Sequence, residues 1–260
     1  LTLNGNDAIL ATDPFLDLFP NLQSLEMRNF TLEQVPPAIT GMSTLKELHL
    51  SLCRVALTPE GQTILSSLSE LEVLNLSDNP LMIAPNVETL PALNELRLSN
   101  TGISDLPKGL TSRQHLRTAI LNGNQITELP DAFFDLDLDL AEGVNLANNP
   151  LSSMSRDRIK AFYAKNGTDF AVLAEQADID RARALFPGLS TEDASHVIYT
   201  LPGTLEDSRS QLTRWETEIS QLTHDLKDWA ADVPSRHPST GASLNPHELL
   251  TERTMRNEFR

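Results

Sequence analysis

One spacing constrains this chain more than any other property: the pattern LxxLxLxxNxL recurs along its first 150 residues. Leu22, Leu25, Met27, Phe30 and Leu32 fill it, then Leu45, Leu48, Leu50, Cys53 and Val55, then Leu71, Leu74, Leu76, Asn79 and Leu81. Leu93, Leu96, Leu98, Thr101 and Ile103 follow, then Leu116, Ala119, Leu121, Asn124 and Ile126, and finally Ala141, Val144, Leu146, Asn149 and Leu151. The asparagine-equivalent positions 6, 30, 53, 79, 101, 124 and 149 lie 22 to 26 residues apart. The opening LTLNGN matches AILNGN of Ala119–Asn124 slot for slot, so the chain is expected to begin inside a repeat. Units of this size cannot bury an apolar face alone; they must stack and share one continuous core.

The period and the pattern are those of a leucine-rich repeat. The expected fold is an α/β leucine-rich repeat solenoid with short parallel strands on its concave face. An all-α region with one long heptad-patterned helix is expected to follow. Leucines two apart on a short strand share a side and face inward. The asparagine slot turns into the bend, where its amide can satisfy backbone groups that the turn leaves unpaired. Cysteine and threonine can do part of this, but Phe30 cannot, so the repeat containing it should have a modified turn. Cys53 is therefore read as a small buried ladder residue rather than a reactive thiol. Val35-Pro36, Ala84-Pro85, Leu106-Pro107 and Leu129-Pro130 close several units, because proline stops strand pairing and favours an extended or tight helical return on the convex side.

Strand residues between the leucines point the other way and line the concave face, the usual binding surface of a solenoid. The candidate partner-binding residues form three columns. The first is Ser24, Glu47, Val73, Glu95 and Thr118, with Gly143 at its end. The second is Glu26, His49, Asn75, Arg97, Ile120 and Asn145. The third is Arg28, Ser51, Ser77, Ser99 and Asn122, with Ala147 at its end. Val73 and Ile120 either anchor a partner or are ordinary single surface hydrophobes. No aromatic residue occupies these columns.

Charge narrows the partners. Residues 1–150 hold 19 acids and 7 bases, net −12, out of −16 for the whole chain. Such a surface repels phosphate backbones, so nucleic acid is excluded as an expected ligand and a basic protein fits better. No run of 18 apolar residues exists, so no membrane-spanning helix is expected. A single cysteine excludes an intrachain disulfide. Phosphate loops and serine elbows are absent, the six histidines lack ligand spacing, and DLDLDL at 135–140 lacks the glycine and distal glutamate of a calcium loop. No catalytic residue, cofactor or metal site is expected.

The repeats are assigned to residues 1–154. Capping and short helices are expected over 155–203: SSMSRDRIKAFYAKNG, then DIDRARALF, then STEDASHVIY with Ser190 and Asp193 as a capping pair. Over 204–233 a long amphipathic helix carries Leu205, Ser208, Leu212, Trp215, Ile219, Leu222, Leu226, Trp229 and Val233 at heptad spacing. That seam must bury against the neighbouring helices, a second copy or a further domain. A proline-rich linker spans 234–246, and HELLTERTMRNEFR at 247–260 reads as the start of a truncated helical domain.

The solenoid together with TLPGTLEDSRSQLTRWE, inside the longer stretch from Ala177 to Pro234, resembles bacterial effectors of the novel E3 ligase (NEL) type. The resemblance implies a leucine-rich repeat arm ahead of a helical domain that takes ubiquitin from a charged E2 onto a cysteine in a Cys-x-Asp motif. Here Cys53 is followed by Arg54 and Val55, so no catalytic residue carries over. The chain is thus expected to be the substrate-recognition and autoregulatory arm, not itself an enzyme, secreted by a bacterium into a host cytoplasm. A protein substrate would sit on the concave face, the E2 would be reached only through the absent domain, and the arm would be monomeric. The alternative is an oligomerising structural adaptor without any ligase connection.

Overall fold

A computed structural model describes residues 1–9 and 15–231. Seven strands form one sheet in sequence order, each parallel to the next: β1 (Thr2–Ile9), β2 (Ser24–Thr31), β3 (Glu47–Ser51), β4 (Val73–Asn75), β5 (Glu95–Arg97), β6 (Thr118–Ile120) and β7 (Val144–Asn145). Parallel neighbours need a crossover, and each unit returns on the convex side. The return is a 3-10 turn at Pro37–Gly41, Leu110–Ser112 and Asp131–Asp135. The 26-residue spacing from position 53 to 79 makes room for a true helix, α1 (Pro59–Ser66). Its Thr58 cap accepts the Gly61 amide at 3.1 Å and Pro59 starts it, a position where the missing N–H costs nothing. The acidic DLDLDL run holds α2 (Leu138–Glu142), capped by Asp137; its Leu136 and Leu140 are buried, so only part of the run is solvated.

The inward leucines form one core from Leu25 and Met27 through to Leu146 and Leu151. The asparagine slot behaves as its chemistry requires. Asn124 Oδ1 accepts the Thr101 amide at 2.9 Å, while its Nδ2 donates to the carbonyls of Leu98 and Leu121, both at 2.8 Å. Asn149 repeats this with the Ile126 amide at 3.1 Å and the carbonyls of Leu121 and Leu146 at 2.9 and 3.0 Å. Thr101 Oγ1 lies 3.1 Å from the Leu98 carbonyl, and Cys53 Sγ lies 3.2 Å from the Met27 carbonyl, each a partial substitute. Burial pushes the Cys53 thiol above its ordinary pKa, in keeping with a structural role.

Phe30 does change its turn. Strand β2 runs on to Thr31 instead of bending, with the Phe30 ring packed over Gly5. The β1–β2 pairing shifts register between Asn4 and Ala8. Asn6 and Asp7 take the left-handed conformation in that bulge and are exposed. Asn6 therefore does not turn inward as its slot predicts: without an asparagine at position 30 the preceding strand has no bend to follow. The regular strands span eight residues in β1 and β2, five in β3, three in β4 to β6 and two in β7, and single rungs such as Asp78 N to the Ser99 carbonyl at 2.8 Å and Gly123 N to the Ala147 carbonyl at 2.9 Å carry the pairing past the shorter ones.

Four helices follow: α3 (Ser153–Asn166), α4 (Gln176–Leu185), α5 (Thr191–Thr200) and α6 (Leu205–Ala231). Ser152 caps α3 and Gly167 ends it in the left-handed conformation. The solenoid rhythm outlasts its sequence pattern. Leu146 N donates to the Phe170 carbonyl at 2.8 Å, the same rung at which Leu121 N meets the Asn145 carbonyl. Residues around Phe170 thus act as one more coil, with α3 as its convex return. Phe133, Phe134, Phe162 and Phe170 pack together beneath it at centroid distances of 4.8 to 6.5 Å. The capping pair on α5 is present: Ser190 Oγ accepts the Asp193 amide at 3.0 Å.

The first half of α6 joins this cap. Thr204 and Asp207 form a reciprocal box, with the Thr204 amide 2.7 Å from Asp207 Oδ2 and the Asp207 amide 3.2 Å from Thr204 Oγ1. The Thr204 amide and hydroxyl, both donating to the carboxylate, hold the Asp207 carboxyl below the usual range. Buried Asp178 on α4 receives Arg209 Nε at 2.9 Å, and Arg181 reaches Glu216 at 2.7 Å. Leu205, Ser208 and Leu212 are buried; the Ser208 hydroxyl donates to the Ile198 carbonyl at 3.1 Å, so the one polar seam position is satisfied. Val233, the linker 234–246 and the segment 247–260 lie outside the described residues.

Candidate protein-binding face

The concave columns hold their predicted register. Glu26, His49, Asn75, Arg97, Ile120 and Asn145 face one another across successive strands, as do Ser24, Glu47, Val73, Glu95 and Thr118. Arg28 pairs with Ser51 at the start of the third column, and Ser99 Oγ donates to Asn122 Oδ1 at 2.8 Å further along it. Within the candidate set, Arg28, Glu47 and Arg97 are the most open, and most others are half-buried. Ser51 and Ser77 are buried at 6% and 9% exposure; their side chains support the face rather than present surface. Val73 and Ile120 are half-buried, with Val73 set between Glu47 and Glu95.

The face is organised by its own contacts. Glu26 lies 3.5 Å from Arg28, and Glu95 pairs with Arg97. Two of the three concave acids are thereby partly compensated, so the negative field at this face is weaker than a count of glutamates suggests. Asn75 and Asn145 spend their Oδ1 atoms on the amides of Ser77 and Ala147, each at 3.0 Å, which fixes their amide orientation. Gly143 has no Cβ for a spatial reason: an added one would lie 1.9 Å from the Arg117 carbonyl oxygen.

Two parts of this face were not among the candidates. Thr2 and Asn4 continue the second and third columns, pairing with Glu26 and Arg28. Thr2 Oγ1 reaches Glu26 at 3.3 Å, and Asn29 Nδ2 reaches Asn4 Oδ1 at 3.2 Å. The match of LTLNGN to AILNGN carried that signal. The rim is the second: Asn29, Leu52, Asp78, Asn100, Gly123 and Asn148, each preceding an asparagine slot, all take the left-handed conformation. At Gly123 a Cβ would also lie 2.0 Å from Asn100 Oδ1, and Asn100 Nδ2 bonds Asp78 at 2.9 Å. Among the described residues, no group of three His, Cys, Asp or Glu side chains is placed to hold a metal, and no helix is long and apolar enough to cross a membrane.

The parallel sheet, the inward leucines and the side-chain ladder define a leucine-rich repeat fold, with a helical region closing one end of the solenoid. Curated proteins match part of the chain. Mouse leucine-rich repeat and IQ domain-containing protein 4 is 32% identical over 40% of this chain and 21% of its own length. Chicken Tsukushi is 37% identical over 42% of this chain and 29% of its own. A probable U2 small nuclear ribonucleoprotein A′ of Drosophila melanogaster is 29% identical over 49% of this chain and 48% of its own. The chain spans less than half the length of each. No family model matches. Among solved structures, a leucine-rich repeat protein of Leptospira interrogans aligns at TM-score 0.41 and 22% identity, covering 58% of this chain and 49% of that one. Human trophoblast glycoprotein aligns at TM-score 0.41 and 18% identity, over 60% and 69%.

Proposed function

We propose that this chain is a protein-binding arm that receives its partner on the concave sheet, and that it selects substrates for a secreted bacterial ubiquitin ligase of the NEL type. The binding reading rests on one observation: seven strands present Thr2, Glu26, His49, Asn75, Arg97, Ile120 and Asn145 as a continuous in-register row facing solvent. Such a row offers polar, charged and apolar contacts at fixed strand spacing. The partner is a protein with a basic patch. The ligase reading rests on the resemblance of the segment from Thr200 to Glu216, which forms the α5–α6 break and the first turns of α6. The host cytoplasm is the compartment this reading implies.

Charge reversal of Glu26, Glu47 and Glu95 to lysine tests the face. A basic partner isolated by cross-linking to the chain should bind at least tenfold more weakly to the variant, with thermal unfolding unchanged. Equal affinity refutes the concave assignment. Sequencing the coding region beyond the codon for Arg260 tests the ligase reading: a helical domain with a Cys-x-Asp motif supports it, and any other continuation refutes it. The rival reading, an oligomerising adaptor, draws on the exposed outer half of α6; sedimentation at high concentration decides it.

A further inference from the structure

The seam of α6 changes character halfway along. Leu205, Ser208 and Leu212 are buried to 4%, 0% and 0% exposure, and Trp215 packs edge-on against Phe186 at 5.6 Å. Beyond them, on the same heptad stripe, Ile219, Leu222 and Leu226 are 44%, 59% and 54% exposed. Single exposed hydrophobes are ordinary, but three at i, i+3 and i+7 continuing a buried seam form one face. Their spacing suits a helix laid alongside, since apolar side chains at this period interlock with another helix.

Charge decides the occupant. Glu218 and Asp225 immediately precede seam positions and flank the stripe, and Asp228 follows near the end, 3.2 Å from His224; Lys227 is the one lysine or arginine from Glu216 to Ala231, against four acids. A second copy running antiparallel would set Glu218 against Asp225 of its twin, an unfavourable like-charge pairing. A parallel copy would meet Leu212, whose seam position is already filled by the cap. An anionic lipid surface is repelled by the same acids. We infer that the outer half of α6 docks an amphipathic helix of another protein, with an apolar stripe flanked by lysine or arginine. The interlocking stripe supplies the contact area, and Glu218 and Asp225 meet the basic flanks and set the partner's register.

Two designed 21-residue helical peptides test this against the full 260-residue chain by fluorescence anisotropy. Both carry leucine at the seam positions; one has lysine at the flanking positions and the other has glutamate. The lysine peptide should bind at least tenfold more tightly. Glu218→Lys with Asp225→Lys should reverse the order, and Leu222→Asp should abolish binding. Leu222 is exposed, so that variant keeps its helical circular dichroism, which is checked alongside. Equal binding of the two peptides overturns the inference, as does no binding of either. Concentration-dependent dimerisation lost in Leu222→Asp would assign the stripe to a second copy and overturn it too. Gain of lysine-peptide binding only after removal of residues 247–260 would assign it to the chain's own tail, with the same consequence. None of these outcomes touches the concave face.

Discussion

Asn79 reaches out of its own repeat to hold Cys53 in the one before it. Its Oδ1 accepts the Cys53 amide at 2.9 Å and the Val55 amide at 3.0 Å, and its Nδ2 donates to the Leu50 and Leu76 carbonyls. One amide thus satisfies both ends of a buried bend across the joint between two units. Asn124 and Asn149 each do the same with one amide and two carbonyls, so the ladder couples successive repeats.

The first prediction follows directly. Asn124→Ala strands the buried Thr101 amide and two carbonyls, and should cost about 3 kcal/mol. Asn124→Thr should cost less, because threonine at position 101 already reaches the carbonyl three residues before it. Urea unfolding of the three proteins checks the order. A loss below about 1 kcal/mol for Asn124→Ala would refute the coupling role.

A second prediction concerns Cys53. In the folded chain the thiol should react with Ellman's reagent at least a hundredfold more slowly than in denaturant. Its pKa is raised above the ordinary 9.0 by burial. The unfolded chain therefore loses this proton first as pH rises. The stability contribution is complete below pH 9 and declines above it, at up to about 1.4 kcal/mol per pH unit for one proton. Cys53→Ala should flatten the fall of stability above pH 9. An identical slope in both proteins would contradict the burial.

Gly143 and Gly41 make a matched pair for the third. Both have ordinary negative φ values, so neither needs glycine for backbone reasons. A Cβ at Gly143 meets the Arg117 carbonyl, whereas one at Gly41 meets nothing within 4 Å. Gly143→Ala should therefore lose about 2–4 kcal/mol by forcing β6 and β7 apart, and Gly41→Ala should be neutral or slightly stabilising. Similar melting temperatures for the two variants would refute the close approach.

Fourth, Asp178 is 4% exposed and takes Arg209 at 2.9 Å, with Arg181 at 4.0 Å. Removing the carboxylate takes away the buried group between the two guanidinium groups, which keep Glu175 at 3.1 Å from Arg209 and Glu216 at 2.7 Å from Arg181. Asp178→Ala should cost about 1–3 kcal/mol, while Glu206→Ala, whose partner contact is exposed, should cost less than about 1. Hydrogen exchange should show the loss concentrated in α4 and the first half of α6. Protection unchanged there would count against the clamp.

Much of the solenoid was legible because its period repeats a physical requirement six times. The in-register columns followed from it without further information. What escaped the sequence was local and arose from exceptions. Phe30 announced a changed turn, but not that β2 would run on to Thr31 and push Asn6 outward, since that depends on how two strands settle without a ladder residue. Phe170 gave no repeat signal because its carbonyl, not its side chain, continues the pairing. Among the candidate residues, Ser51 and Ser77 could not be told from Ser99, because alternation fixes direction and not depth. The seam of α6 was read as continuous; whether each position is covered depends on where α4 and α5 end.

The unlike side chains along the central row have a consequence for anything that would rest on it. A solenoid of identical units resembles a ruler, on which a ligand could slip by one mark and find equivalent footing. Here no two neighbours in the row Thr2, Glu26, His49, Asn75, Arg97, Ile120 and Asn145 are alike. A molecule laid across the strands and displaced by one unit would meet different chemistry at every rung.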